Sequence, residues 1–138
     1  ENLDPTQTEV LRAYFAYDKA TWRLWTKNEG LDTMDTVATD PLLTEIKHNV
    51  TKRNGRLARP PLRMSVSEVS ASDDGNGYAV AACFDKTQMT SVDAQGKDIT
   101  DPKNQILRPA ITFMTQDTNG IWRASDEKTG TPNTCSVN

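Results

Sequence analysis

Residues 62–92, LRMSVSEVSASDDGNGYAVAACFDKTQMTSV, are where the chain changes its period. Leu62, Met64, Val66 and then Val69 carry the apolar signal in a stretch rich in Ser and Val, which reads as a first strand. The cluster Asp73-Asp-Gly-Asn-Gly77 is turn chemistry. Beyond it, Tyr78-Ala-Val-Ala-Ala-Cys-Phe84 is the longest apolar run of the chain and is strand-sized; it continues into Thr87–Val92 as a second long strand or a bent pair. A polar loop from Asp93 to Asn104 leads to a third apolar stretch, Ile106–Gln116, with alternation at Ile111 and Phe113 and, one residue off, Met114. Asp117-Thr-Asn-Gly120 then turns the chain into Ile121–Ser125, a hairpin by its Asn-Gly signal.

Upstream of this region the period is helical. From Thr6 to Lys27, Val10, Leu11, Tyr14, Phe15, Trp22 and Trp25 fall on one face; Thr6 with Glu9 offers a capping box, and Asn28-Glu-Gly30 a stop. A second helix is expected from Thr39 or Asp40 to Arg53, with Pro41 in its first turn, Leu42, Leu43, Ile46 and Val50 on its apolar face, and Asn54-Gly55 at its end. A helical turn is expected between them, around Asp32–Ala38. Helices followed by about four strands with hairpin-length connections describe an α+β domain, its N-terminal helices packed on an antiparallel sheet. The expected organisation is a single domain over residues 1–138: a helical part at 6–54, a sheet part at 62–128 and a tail at 129–138.

Composition narrows the function classes. At 138 residues, with 36% hydrophobic and 25% charged residues, the chain is long enough for a core and too interrupted for a membrane span. A net charge of -3 argues against nucleic acid as the partner. The charge is uneven, however. Lys47, Lys52, Arg53, Arg56, Arg59 and Arg63 lie in a stretch without an acid, leaving ten basic against nineteen acidic residues elsewhere. That stretch is either a solvated helix end or a binding surface for an envelope protein or an anionic membrane. Cys83 and Cys135 are too far apart for a C-x-x-C motif, and two thiols with one His make a poor metal shell, so no metal and no cofactor are expected. They are either two free thiols or a bridge that would pin a Gly/Pro/Thr/Asn tail to the sheet. The sequence opens at Glu1 without Met or a basic-then-apolar leader, as expected of a mature or trimmed chain. Asn49-Val-Thr51 matches a glycosylation sequon but falls in the second helical stretch.

The order of elements resembles the cone-shaped fold of the nuclear transport factor 2-like superfamily, in which N-terminal helices close over a strongly curved antiparallel sheet. Tyr78-Ala-Val-Ala-Ala-Cys-Phe-Asp85, Arg108-Pro-Ala-Ile-Thr-Phe113, Asn119-Gly-Ile-Trp-Arg123 and the last Cys135 are similar to small secreted or lipid-anchored actinobacterial proteins, as is a first helix carrying Tyr14, Tyr17 and Trp22. The resemblance implies an envelope or extracellular location, possible face-to-face homodimers, and a bond between Cys83 and Cys135. It supplies no reaction, since members of that group mostly lack an assigned activity.

Few residues offer chemistry. His48, the only histidine, lies off the apolar face of its helix and reads as a surface residue. Asp18 falls on the aromatic stripe of the first helix. Enzymes of the superfamily use carboxylates and tyrosines that face the cone interior, so the resemblance makes Asp18 with Tyr14 or Tyr17 a candidate acid/base set. The plainer alternative holds Asp18 in a hydrogen bond at the stripe's edge. Tyr14, Asp18, Trp22, Phe113 and Trp122 are the candidate pocket lining, with core packing as the alternative for the aromatics. Asp85 is expected on the face of Cys83, satisfying a backbone group or an arginine. The expected function is a noncatalytic extracytoplasmic binding or accessory domain. The alternative is a small-molecule-binding protein or a cyclase- or isomerase-like enzyme with Asp18 as acid/base.

Overall fold

The computed structural model describes residues 2–137. Its first helix, α1, spans Pro5–Lys27. The capping box is made one step earlier than the Thr6/Glu9 pair suggests: the Asp4 carboxylate accepts from the Gln7 backbone N–H at 2.7 Å, and the Gln7 side-chain oxygen accepts from the Asp4 N–H at 2.9 Å. Asp is the stronger cap, and Pro5 behind it lacks the N–H that the first turn leaves unpaired. Asn28 ends the helix in the left-handed conformation. A 3-10 helix at Leu31–Thr36 and α2 at Leu42–Arg53 follow.

Six strands follow: β1 (Leu57–Arg59), β2 (Arg63–Ala71), β3 (Tyr78–Asp85), β4 (Thr90–Val92), β5 (Leu107–Gln116) and β6 (Trp122–Thr129). The main sheet has the order β2-β3-β5-β6, antiparallel throughout, and β1 pairs with β4 as a separate ribbon. The sequence pattern does not show β1, which is only three residues long. Of the two forms expected through Val92, one long strand or a bent pair, the chain takes the second: it breaks at Lys86–Met89, where Met89 N–H donates to the Lys86 carbonyl and the chain leaves the main sheet to pair with β1. The chain between the helices also touches the sheet. Thr39 N–H donates to the Ala124 carbonyl at 2.8 Å and Ala124 N–H to the Val37 carbonyl at 2.9 Å, a short parallel extension beside β6.

Two bulges decide which side chains meet the helices. In β2 the register skips Ser67, between Val66 opposite Ala82 and Glu68 opposite Ala81. In β6 it skips Ser125, between Ala124 opposite Met114 and Asp126 opposite Phe113. Each extra residue reverses the two-residue alternation beyond it and bends the strand. Hence Met64 and Val66 share a face with Val69, and Ala124 shares one with Glu127 rather than Asp126. The core lies between this face and α1: Val10, Tyr14, Tyr17 and Leu24 pack with Val69, Val80, Ala82, Met114 and Ala124.

Cys83 and Cys135 form a disulfide on the opposite side of the sheet, in agreement with the expectation from the resemblance. The tail is also held at its root: Asn133 N–H donates to the Leu107 carbonyl at 2.7 Å and its side-chain oxygen accepts from the Leu107 N–H at 3.0 Å. No helix among the described residues is long and apolar enough to cross a membrane.

Candidate functional site

On α1, Tyr14, Tyr17, Asp18, Thr21, Trp22 and Trp25 stand at offsets of 0, 3, 4, 7, 8 and 11, successive turns of one helix face. Glu45, Asn49 and Arg53, four residues apart, do the same on α2. Between these faces and the sheet lies a cavity of about 470 Å³, a size typical of small-molecule sites. Phe84, Ala110, Glu127 and Thr129 contribute from the sheet, and Lys86 and Met89 from the turn after β3.

The acids collect on one side. Tyr17 donates its phenol O–H to Glu127 Oε1 at 2.8 Å. The Asp18 carboxylate has no hydrogen-bond partner among the described residues, so the edge-of-stripe bond expected as the plainer alternative is not made. Burial, and then the nearby Glu127 charge, raise the Asp18 pKa to about 6. Burial likewise raises Glu127, opposed by the Tyr17 hydrogen bond. Both tyrosines are pushed up, by burial first and by the neighbouring carboxylates second, and remain phenols in the physiological range. The result is a half-buried corner of two carboxyl groups and two hydroxyls, able to hold a proton near neutrality or to donate and accept hydrogen bonds.

The bases collect elsewhere in the same cavity. Arg53, at the end of α2, lies over the Trp25 ring at 4.8 Å and donates to the Trp25 carbonyl at 3.4 Å. Arg108 on β5 donates to the Gly130 carbonyl at 2.8 Å. Lys86 is half-buried, and its pKa is lowered by burial, then by Arg108 and Arg53.

Tyr14, Asp18 and Trp22 stand where the sequence suggested, but Phe113 and Trp122 do not line this cavity. The parity of β5 explains Phe113: Ala110, Thr112 and Met114 are the inward, buried set, and Phe113 lies on the outer face under the Lys128 ammonium, 5.7 Å from its ring. Trp122 sits opposite Gln116 at the hairpin end of β6 and packs edge-on against Tyr78, ring centroids 5.7 Å apart. The six basic residues do not share one setting. Lys47, Lys52, Arg56 and Arg59 are exposed, Arg63 is held by Asp85 at 3.0 Å, and Arg53 turns into the cavity. Asp85 also accepts from the Thr87 N–H and hydroxyl, which with Arg63 hold its pKa down to about 2, as a structural residue. His48 is exposed. Among the described residues no His, Cys, Asp or Glu side chains gather into a set that could hold a metal ion.

Helices closed over an antiparallel sheet around a cavity of this kind define the α+β cone of the nuclear transport factor 2-like fold. No protein-family model matches the sequence, and no curated protein matches it. Solved structures do. The intermembrane space region of the chloroplast protein ARC6 superposes with a TM-score of 0.62 at 15% identity, over 94% of this chain and 98% of that one. A ketosteroid isomerase-like protein from Erwinia carotovora atroseptica superposes with a TM-score of 0.63 at 13% identity, over 92% and 96%. At these identities the likeness is one of fold.

Proposed function

We propose that this chain is an extracytoplasmic binding domain, noncatalytic, whose binding element is the cavity between α1, α2 and the sheet. The observation that carries this reading is the convergence in one cavity of about 470 Å³ of aromatic, acidic and basic side chains from five different elements. The Cys83–Cys135 disulfide supports an oxidising compartment, and hence a place outside the cytosol. The two structural neighbours named above carry different descriptions, a chloroplast intermembrane-space region and an isomerase-like protein, so the fold itself favours neither accessory nor enzymatic use.

The test is saturable binding of the neutral fluorescent probe N-phenyl-1-naphthylamine, with Thr21→Trp as the variant that fills the cavity from α1. Binding by the native chain and its loss in a folded Thr21→Trp supports the cavity reading; binding that survives the variant sinks it. A second reading, acid/base catalysis by Asp18, is favoured by its pKa near 6 beside two phenols. It requires a turnover that Asp18→Asn abolishes while the probe still binds.

A further inference from the structure

Arg53, Lys86 and Arg108 come from the end of α2, the turn after β3 and the start of β5, yet all three line one cavity. Each is half-buried, and among the described residues none forms an ion pair. Arg53 and Arg108 each spend an N–H on a backbone carbonyl, which fixes the guanidinium and leaves further donors free. The Lys86 ammonium makes no hydrogen bond to a described residue. Gathering three like charges in a half-buried space is unfavourable unless an opposite charge joins them.

The acids of the cavity do this only weakly: none is ion-paired with the three among the described residues, and Glu127 is the least of the influences on Lys86. Lys86 is the weakest of the influences on Glu127, and no base contributes to the position of Asp18. Like charges are thus close neighbours on both sides: Glu127 raises Asp18, and Arg108 and Arg53 lower Lys86. The same cavity also offers apolar wall from Trp22, Trp25, Leu62, Phe84 and Met89.

On the reading of the cavity as a binding site, we propose that it takes a free organic anion, with a carboxylate or phosphate head held by Arg53, Lys86 and Arg108 and an apolar body lying against Trp22, Trp25 and Phe84. The planar forks of the two arginines suit oxyanion geometry, and the Lys86 ammonium supplies a third donor.

Displacement of N-phenyl-1-naphthylamine tests the proposal, using decanoate, decyl phosphate and decyltrimethylammonium below their micelle concentrations as competitors of equal chain length. The expected result is displacement by the two anions and not by the cation. Lys86→Met and Arg108→Gln should each weaken the anions roughly tenfold, the loss of one charge-assisted contact, and leave the affinity for the neutral probe unchanged. Lys47→Gln, outside the cavity, should change neither. Equal displacement by cation and anions, or indifference to both cavity variants, overturns the anionic head while the cavity reading stands. No probe binding overturns both. Retention on phosphatidylglycerol vesicles without displacement by free decanoate also overturns the proposal, because the ligand is then a membrane surface.

Discussion

Replacing Asp18 by Asn should stabilise the chain above neutrality and leave it unchanged in acid. In the folded protein the carboxyl pKa stands near 6 against an ordinary 3.8, because burial and the Glu127 charge disfavour the ionised form. The raised value means that the folded state holds the proton more tightly than the unfolded one. The protonated form's advantage is complete below about pH 4 and is lost as the pH rises through about 6. Direct conversion at about 1.4 kcal/mol per pH unit gives about 3 kcal/mol. Asp18 is only partly buried, so screening reduces this to about 1.5 kcal/mol. Asn cannot ionise, and in a chain of this size the gain corresponds to roughly 5 °C in Tm. The assay is thermal unfolding with the disulfide intact, at about pH 3 and about pH 7.5. The two proteins should melt together in acid, with the variant above the native chain at the higher pH. A variant less stable than the native chain at both values would refute the reasoning, since it would mean that the carboxylate is satisfied by a partner whose loss costs more than burial of the charge.

Other perturbations test the remaining parts. Tyr17→Phe removes the only hydrogen bond found for the Glu127 side chain among the described residues and should cost about 1.5–3 kcal/mol in urea unfolding; Glu127→Gln combined with it should cost little more, since the two act as one pair. Replacing both Cys83 and Cys135 by Ala opens a 52-residue separation and should lower stability by up to about 4 kcal/mol in the chain-entropy account, seen as an earlier urea midpoint. Gly77→Ala would drive a Cβ into the Met114 carbonyl oxygen across the β3–β5 pairing, so a loss of more than about 2 kcal/mol is expected by the same assay. Contact with an envelope protein or an anionic membrane would fall to Lys47, Lys52, Arg56 and Arg59, which are exposed. Crosslinking pull-down from envelope extract should then lose its partner when all four are changed to Gln, and Arg63→Gln should have no such effect.

What the sequence showed, and what it hid, follows from the physics of period. The helices were legible because α1 and α2 keep a 3.6-residue spacing over several turns, and Asp18 was placed on the cavity side because helical offsets from Tyr14 do not depend on anything distant. The sheet was legible as strands but not as faces. Val66 and Val69 are an odd number of residues apart, and only the bulge at Ser67 lets both face the core. The same device at Ser125 brings Glu127 inward, where plain alternation from Ala124 would have chosen Asp126. The odd spacing of Val66 and Val69 was a visible sign of a bulge; nothing comparable marks Ser125, because the residues that follow it in β6, Asp126 to Thr129, are all polar.

The basic side of the cavity was hidden for a different reason. Lys86 lies in a turn, Arg108 at the start of a strand and Arg53 at the end of a helix, positions where a charged residue is ordinary and carries no local signal. Arg53 even sat in the run of cations that reads as a solvated surface. Its inward turn depends on Trp25, 28 positions earlier, whose ring and carbonyl both receive the guanidinium. A run of like charges is therefore not a surface until each member's nearest aromatic or carbonyl is known. Of the six cations, only the four without such a partner or an acid remain available to a macromolecule, while Arg53 belongs with Lys86 and Arg108 and faces whatever the cavity holds.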